Sequence, residues 1–578
     1  MRRTTTGRVV AVHVARRARR LPSLGSWRRY VRGFSGDQSG AVAVIMAIMV
    51  ALLLFVSAFA IDHSRFTNEA FQDSQALDAG LLAAATDFRK NQDDASAIAR
   101  AKSVYIANRN DGAKTDIKSI KPDATNFEIT GQTDFSWKAT LMRAFGYDSK
   151  IMQSNAKVKY GRLSEVVLVI DNSSFAKNEL EVFRTASIGL KTELMGLSGE
   201  GPVKMGVVPF AGSVNVGPQY DSAWWIDKDA KASFHRENYK KYQGSGNWTD
   251  ETQTRLDLFR NIGEPWKGCV EARTDAYDGN DLPPDPEVPA SLFVPMFAPD
   301  EPDMGRNKQA PDGQSYYNDY LPDYPDNPDG INCPKENCLQ ENDKGTCIKY
   351  EKINFTLEQY QQVSCKYAPG ASYKPTVKYI TDKKSPTTVD LTTGPNFNCT
   401  SVPLLPLTND ADRVEDKLKS MVASGGSNVA EGILWGYRVL SPQEPFTGGG
   451  PFDDEHDKYM IILARGANWI EAYKDNLNHS IYTPWGYGVN DRLNPQAHTQ
   501  QSLTNAMDEK THSACRIAAE KGVKVYTIGY KVTDPQMRSM LQYCAVHPKM
   551  FFEANSLDEV RDHMSTIASR ITKLHLTQ

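Results

Sequence analysis

The first sixty residues change solvent abruptly, and that constrains everything after them. Arg2, Arg3, Arg8, Arg16, Arg17, Arg19, Arg20, Arg28, Arg29 and Arg32 precede residue 35 with no acidic side chain among them. Residues 40–61 (GAVAVIMAIMVALLLFVSAFAI) then carry no charge at all, until Asp62 ends the run. At 1.5 Å per residue, about 22 helical residues reach roughly 33 Å, enough to cross a hydrocarbon core. A basic flank on one side only keeps that flank in the cytoplasm and sends the rest of the chain across. The expectation is a single-pass protein with residues 1–38 as a cytoplasmic arm, 39–61 as a transmembrane helix and about 500 residues outside the cytoplasm.

Other readings of this segment are weaker. Ala58-Phe59-Ala60 would suit signal cleavage, and an arginine-rich start without acids would suit a transit peptide. The apolar run, however, exceeds the ~7–15 residues of a signal core. A soluble core helix is seldom apolar on every face.

Cysteine placement agrees with export. Cys269, Cys333, Cys338, Cys347, Cys365, Cys399, Cys515 and Cys544 all follow the span. An even number confined to the exported part points to disulfides. There is no C-x-x-C and no histidine pair at zinc spacing. The formal net charge of −3 is too close to neutral to argue for nucleic acid, and the only strong basic cluster is the arm, so no nucleic acid partner is expected.

Beyond Asp62, a helix is expected over residues 62–108. Phe66, Ala70, Leu77, Leu81, Ala84 and Phe88 form one apolar stripe. Either the next segment of the chain or a second copy must cover it. Short alternating runs over 127–161 read as a small β unit, so residues 62–161 make one region.

From residue 165 onward, buried strands alternate with amphipathic helices. Strands are expected at 165–171, 203–214, 459–463, 523–530 and 550–554, and helices at 179–195, 410–422, 428–439, 502–521, 534–546 and 557–571. This α/β rhythm calls for an open, mostly parallel, doubly wound sheet whose ligand edge lies just after Ile170, Leu463 and Tyr530. It occupies residues 162–215 and 403–578. Residues 216–402 interrupt it with a stretch rich in Pro, Asp, Tyr and Cys that excludes long helices and reads as a disulfide-stapled insertion over the mouth of the sheet. Asp326, Asp329 and Glu336 loosely suggest a calcium loop, but Pro325 stands at its first ligand position, so surface acidity is the simpler reading. Cys515 and Cys544 lie in helices flanking one strand, on one face of the sheet, and should pair.

Gly40-Ala41-Val42-Ala43-Val44-Ile45, Asp62-x-x-Arg65, Gln75-Ala76-Leu77-Asp78-Ala79 and Ala83-Ala84-Ala85 resemble the membrane-entry segment of TadE/TadG-like proteins of tight-adherence (Flp) pilus assembly. Trp435-Gly436, Leu440-Ser441-Pro442, Ala514-Cys515, Tyr526-Thr527-Ile528-Gly529 and Cys544-Ala545 resemble the von Willebrand factor A-type domain of TadG-like proteins. The resemblance implies a bacterial inner-membrane protein with a periplasmic A-type domain, acting as an adaptor or structural component among other pilus-assembly proteins. A metal-dependent adhesin is the alternative it leaves open.

In A-type domains a D-x-S-x-S loop, a Thr and an Asp hold a divalent cation. Here the resemblance aligns Asp171, Ser173 and Phe175 with the first loop, Ser427 with the Thr and Arg465 with the Asp. Asp171, Ser173 and Ser427 would therefore form a degenerate site, with Mg2+ disfavoured by the charge of Arg465. The expectation is that Arg465 takes the place of the metal in a charge pair with Asp171. No G-x-S-x-G, phosphate loop or H-E-x-x-H occurs, and the histidines share no catalytic spacing, so no enzyme is expected. Ile45, not Glu, stands five residues after Gly40, which reads as an anchored component and not a processed pilin.

Overall fold

The computed structural model describes residues 40–91, 93–109, 116–123, 128–159, 163–196, 203–243, 246–274, 277–304, 309–323, 338–350, 355–371, 373–381, 388–453, 456–495 and 498–572. The basic arm and the loosely calcium-like Asp326, Asp329 and Glu336 lie outside them. The chain divides into two compact units, residues 1–124 with 128–158, and residues 159–577 with 125–127.

The first unit begins with α1 (Gly40–Asn91), whose apolar part is long enough to cross a membrane. The helix expected over 62–108 is in fact two. Asp93 accepts from the N–H groups of Ala95 and Ser96, and α2 (Asp94–Asn108) starts there and folds back on α1. The stripe is thus covered within the chain: Leu77, Leu81 and Ala84 are buried with Ala97, Ala101 and Tyr105 of α2. The helices approach closely at Gly80, where a Cβ would stand 2.9 Å from the Ala101 carbonyl. Strands β1 (Asp116–Asp123), β2 (Glu128–Lys138) and β3 (Ser149–Lys159) form a sheet in that order. Buried Asp73 ties it to both helices, accepting from Tyr105 Oη (2.5 Å) and Thr133 Oγ1 (2.7 Å) and meeting Arg109 at 3.3 Å. A buried carboxylate is tolerated only when it is paired and hydrogen-bonded in this way.

The second unit is built on β4 (Leu163–Asp171), α3 (Leu180–Met195), β5 (Val203–Phe210), β6 (Leu405–Thr408), α4 (Ala411–Ser420), α5 (Val429–Leu440), β7 (His456–Ala464), α6 (Gln500–Glu520), β8 (Lys524–Tyr530), α7 (Pro535–Cys544), β9 (Phe551–Ala554) and α8 (Leu557–Ile571). The six strands are ordered β6-β5-β4-β7-β8-β9, with only β6 antiparallel to its neighbour. The pleat sends alternate residues to opposite faces. Val166, Leu168 and Ile170 pack with Phe183 of α3 and Val560 of α8. Val167 and Val169 pack with Ile433 of α5, Ala514 of α6 and Met537 of α7. Because α6 and α7 share a face, Cys515 meets Cys544 in a disulfide with Cα atoms 5.0 Å apart. Strand β5 stops at Phe210, short of the expected 214, and the edge strand β6 has no counterpart in the sequence reading.

The described residues of 216–402 form a cap of short elements, the longest described helix being Arg255–Asn261. Cys269 and Cys399 bridge this segment internally across a sequence separation of 130, with Cα atoms 5.8 Å apart. Cys347 and Cys365 each take part in a disulfide as well. Its interior holds paired charges. Lys366 Nζ meets Asp300 Oδ2 at 2.8 Å, both fully buried, while Asp300 Oδ1 accepts from the N–H groups of Tyr320 and Leu321. Arg255 and Tyr482 converge on Glu271, which Arg492 joins at 2.5 Å.

Candidate functional site

Strands β4 and β7 are adjacent, and their register sets Leu463 beside Ile170. Asp171 and Arg465 consequently leave the sheet at the same edge, between the two strands. That edge is where ligands bind in open parallel sheets.

Asp171 is fully buried, and its carboxylate is saturated by four donors. Oδ1 accepts from the N–H of Ser173 (3.0 Å) and from its hydroxyl (2.6 Å). Oδ2 accepts from the N–H of Arg465 (3.1 Å) and the N–H of Gly466 (2.9 Å). A carboxylate offers about four lone-pair sites, so each is taken.

The expected charge pair between Asp171 and Arg465 is not formed. Arg465 touches Asp171 through its backbone. Its guanidinium turns outward, where Nη1 donates to the Phe175 carbonyl at 2.8 Å and Nε lies 3.3 Å from Glu179 Oε2. The physical reason is desolvation. Two main-chain N–H groups satisfy Oδ2 without burying a second full charge, whereas a guanidinium drawn beneath the sheet edge would surrender its own hydration. The Arg465 side chain remains 29% exposed.

The rest of the rim is closed by packing. Phe175 is buried edge-to-face against Trp469, ring centroids 5.9 Å apart. Gly466 is squeezed beneath it, since a Cβ there would stand 2.9 Å from Phe175 Cβ. Ser427 is fully buried on the same rim; its carbonyl accepts from Trp469 N–H at 2.8 Å, while its hydroxyl has no hydrogen-bond partner. The cap then covers the loop. Ser174 Oγ donates to Asp390 Oδ1 at 2.7 Å, and Ser424 Oγ donates to the Asp390 carbonyl at 3.0 Å. Leu391, Phe397 and Trp485 join Phe175 and Trp469 in one apolar cluster over the edge.

These residues do not fit a divalent cation. Of the expected ligands Asp171, Ser173 and Ser427, the carboxylate has no free lone pair and the Ser173 hydroxyl is spent on it. Phe175 brings carbon where an oxygen is needed. All three residues have 0% exposure, so no open position faces a partner's carboxylate. Mg2+ demands near-octahedral oxygen ligation with water retained, and a rim closed by Phe175 and Trp469 supplies neither.

Three contributors escaped the sequence reading. Glu179 had no marker, and Trp469 reads only as one more aromatic. Asp390 lies 216 residues from its partner in an insertion without a recognisable pattern.

No protein-family model matches this sequence, and no curated protein shows significant similarity to it. Among solved structures, the chain is similar to the pilus adhesin SpaC from Lactobacillus rhamnosus GG in its open conformation, at 12% identity over 79% of this chain and 33% of that one, with a TM-score of 0.27. It is also similar to the vWF domain of the type V pili tip protein Mfa5 from Porphyromonas gingivalis, at 8% identity, 72% and 99% coverage and a TM-score of 0.28. The pilus adhesin RrgA from Streptococcus pneumoniae gives 10% identity, 79% and 49% coverage and a TM-score of 0.30. The chain spans about a third of the SpaC chain. At such scores the description of the sheet rests on its own strand order and register.

Proposed function

We propose that this chain is a membrane-anchored, non-catalytic interaction protein of tight-adherence (Flp) pilus assembly, its exported α/β domain acting as an adaptor in the periplasm without a metal ion. The sheet order with an antiparallel edge strand is read as the doubly wound A-type arrangement of TadG-like proteins, with residues 216–402 inserted between β5 and β6. The observation that carries the metal-free part is the Asp171 carboxylate, buried and saturated by four donors from its own chain. A domain that recognises a ligand through a cation needs an accessible, under-coordinated oxygen cage. This one has converted the same edge into a structural lock, leaving its outer surfaces for protein contacts.

Thermal unfolding of the full chain in detergent, with chelator and then with rising Mg2+, tests the reading. No shift is expected. A ligand that binds only the folded state raises stability by RT ln(1 + [L]/Kd), so a saturating rise in the transition with Mg2+ would return the adhesin reading. Deletion of the gene in its bacterium should abolish surface pili, and loss of attachment with pili still assembled would reject the assembly role.

A further inference from the structure

The turn between β2 and β3 has features that a water-facing turn does not need. Asp62, the first charge after the apolar run, points its Oδ2 at three successive N–H groups of this turn, those of Thr140 (3.0 Å), Leu141 (2.9 Å) and Met142 (2.8 Å). Four further main-chain donors also find partners inside the turn. Ala139 N–H donates to the Asp148 carbonyl, Ala144 to Leu141, Gly146 to Arg143 and Tyr147 to Met142. Its two charged side chains, Arg143 and Asp148, meet each other at 3.3 Å. A turn in water can leave such groups to solvent, whereas one in lipid cannot.

The side chains point the same way. Leu141 is 42%, Phe145 43%, Tyr147 63% and Ile151 70% exposed. They continue the exposed apolar surface of α1, where Phe59 is 54% exposed. The turn also reaches back along the helix: the Phe145 ring packs edge-to-face on Phe55 at 5.1 Å, and Met142 packs on Ala58. Phe55 precedes Asp62 by seven residues, which at 1.5 Å each puts the Phe145 contact about 10 Å back along the uncharged part of α1.

We infer that the β2–β3 turn, residues 139–148, dips into the bilayer beside the transmembrane helix, with Leu141, Phe145 and Tyr147 in contact with lipid and Asp62 as the latch that holds it there. This rests on the reading of residues 39–61 as a membrane span. The partner is the acyl-headgroup boundary of the leaflet on the exported side, which accepts aromatic and aliphatic side chains together. The anchor of the first unit then has two points and not one, which fixes the rotation of α1 about its axis.

The test uses the full chain in nanodiscs of phosphatidylethanolamine and phosphatidylglycerol. Spin labels are placed singly through Val50→Cys in the span, Phe145→Cys and Tyr147→Cys in the turn, and Asn155→Cys on the exposed part of β3. Collision with oxygen against collision with a water-soluble nickel chelate reports depth. The expected result is that labels at 145 and 147 shift toward the lipid value of 50 and away from the water value of 155. Labels at 145 and 147 that match 155 while 50 reports lipid would overturn the proposal and leave the span intact. A label at 50 that reports water would instead reject the membrane reading itself. Strong dipolar broadening between labels at 145 would show a second copy on this surface, and would also overturn the proposal.

Discussion

Replacing Asp171 separates a structural carboxylate from a metal ligand by the sign of the effect. In Asp171→Ala, the N–H groups of Ser173, Arg465 and Gly466 lose their acceptor together, at positions now 3.0, 3.1 and 2.9 Å from it. A buried donor left unsatisfied costs about 1–3 kcal/mol, while the Ser173 hydroxyl can rotate to another partner and adds little. Water can reach part of the Arg465 amide, so the sum is placed at about 3–5 kcal/mol, at the upper end for single substitutions. Asp171→Asn retains one acceptor oxygen, which can keep the Arg465 and Gly466 amides. Its amide nitrogen must then face Ser173 N–H, and the loss falls to about 1–3 kcal/mol. Urea unfolding of the full chain in detergent measures both, in chelator and in Mg2+. The same losses are expected in the two conditions. A ligand carboxylate in an empty metal cage would behave oppositely, because removing its charge in chelator relieves repulsion. Neutral or stabilising effects in chelator, or a loss that appears only with Mg2+, would refute the reasoning.

Arg465→Ala removes a partly exposed contact with Glu179 and the Phe175 carbonyl but leaves the amide that holds Asp171, so a loss of about 1 kcal/mol or less is expected in the same urea assay. Arg465→Asp should lose more, through repulsion with Glu179, and should gain no Mg2+ binding by calorimetry. Glu301 is buried in the cap, and desolvation pushes its carboxyl from the ordinary 4.5 up to about 7 against the pull of the Asn318 and Tyr317 N–H groups. Because the folded state holds its proton longer, stability should be highest below about pH 4.5 and decline by about 3 kcal/mol as pH rises to 7; Glu301→Gln should flatten that slope in unfolding curves taken across the range. Opening the Cys515–Cys544 bridge, by paired Ser substitutions, frees a loop with a sequence separation of 29 and should lower stability by about 3–4 kcal/mol in the chain-entropy account.

What could be read from the sequence, and what could not, divides along the line between side chains and main chain. Apolar runs such as 165–171 announce strands covered on both faces, and amphipathic spacing announces the helices between them, because burial acts on side-chain identity directly. The adjacency of β4 and β7 follows from the same pattern, and Cys515 and Cys544 fall together once their helices share a face. The break at Asp93 was signalled too: an N-cap aspartate opens α2, yet the apolar rhythm runs on through it and masked the turn. Strand β6 is only four residues at an edge and carries three of its residues half-buried, so no periodicity marks it.

The rim of the sheet was misread for a more instructive reason. The types at Asp171, Ser173 and Arg465 suggested charge meeting charge, but every residue also carries an amide, and in this loop the amides do the binding. Where β7 ends, Arg465 directs its N–H toward the sheet edge while its side chain leaves for Glu179 and the Phe175 carbonyl. Any residue with an N–H could fill the first role, so sequence carries no mark of it. Asp62 makes the same point in the other unit. As a letter it marks only where an apolar run stops, whereas in space its carboxylate gathers three consecutive N–H groups 78 to 80 residues away. Both aspartates are buried charges stabilised by backbone donors: Asp171 where strand β4 gives way to a loop, and Asp62 within α1 where its apolar run ends. Such positions hold a loop's conformation with one side chain, and they are where substituting a single residue should disturb most of this protein's geometry.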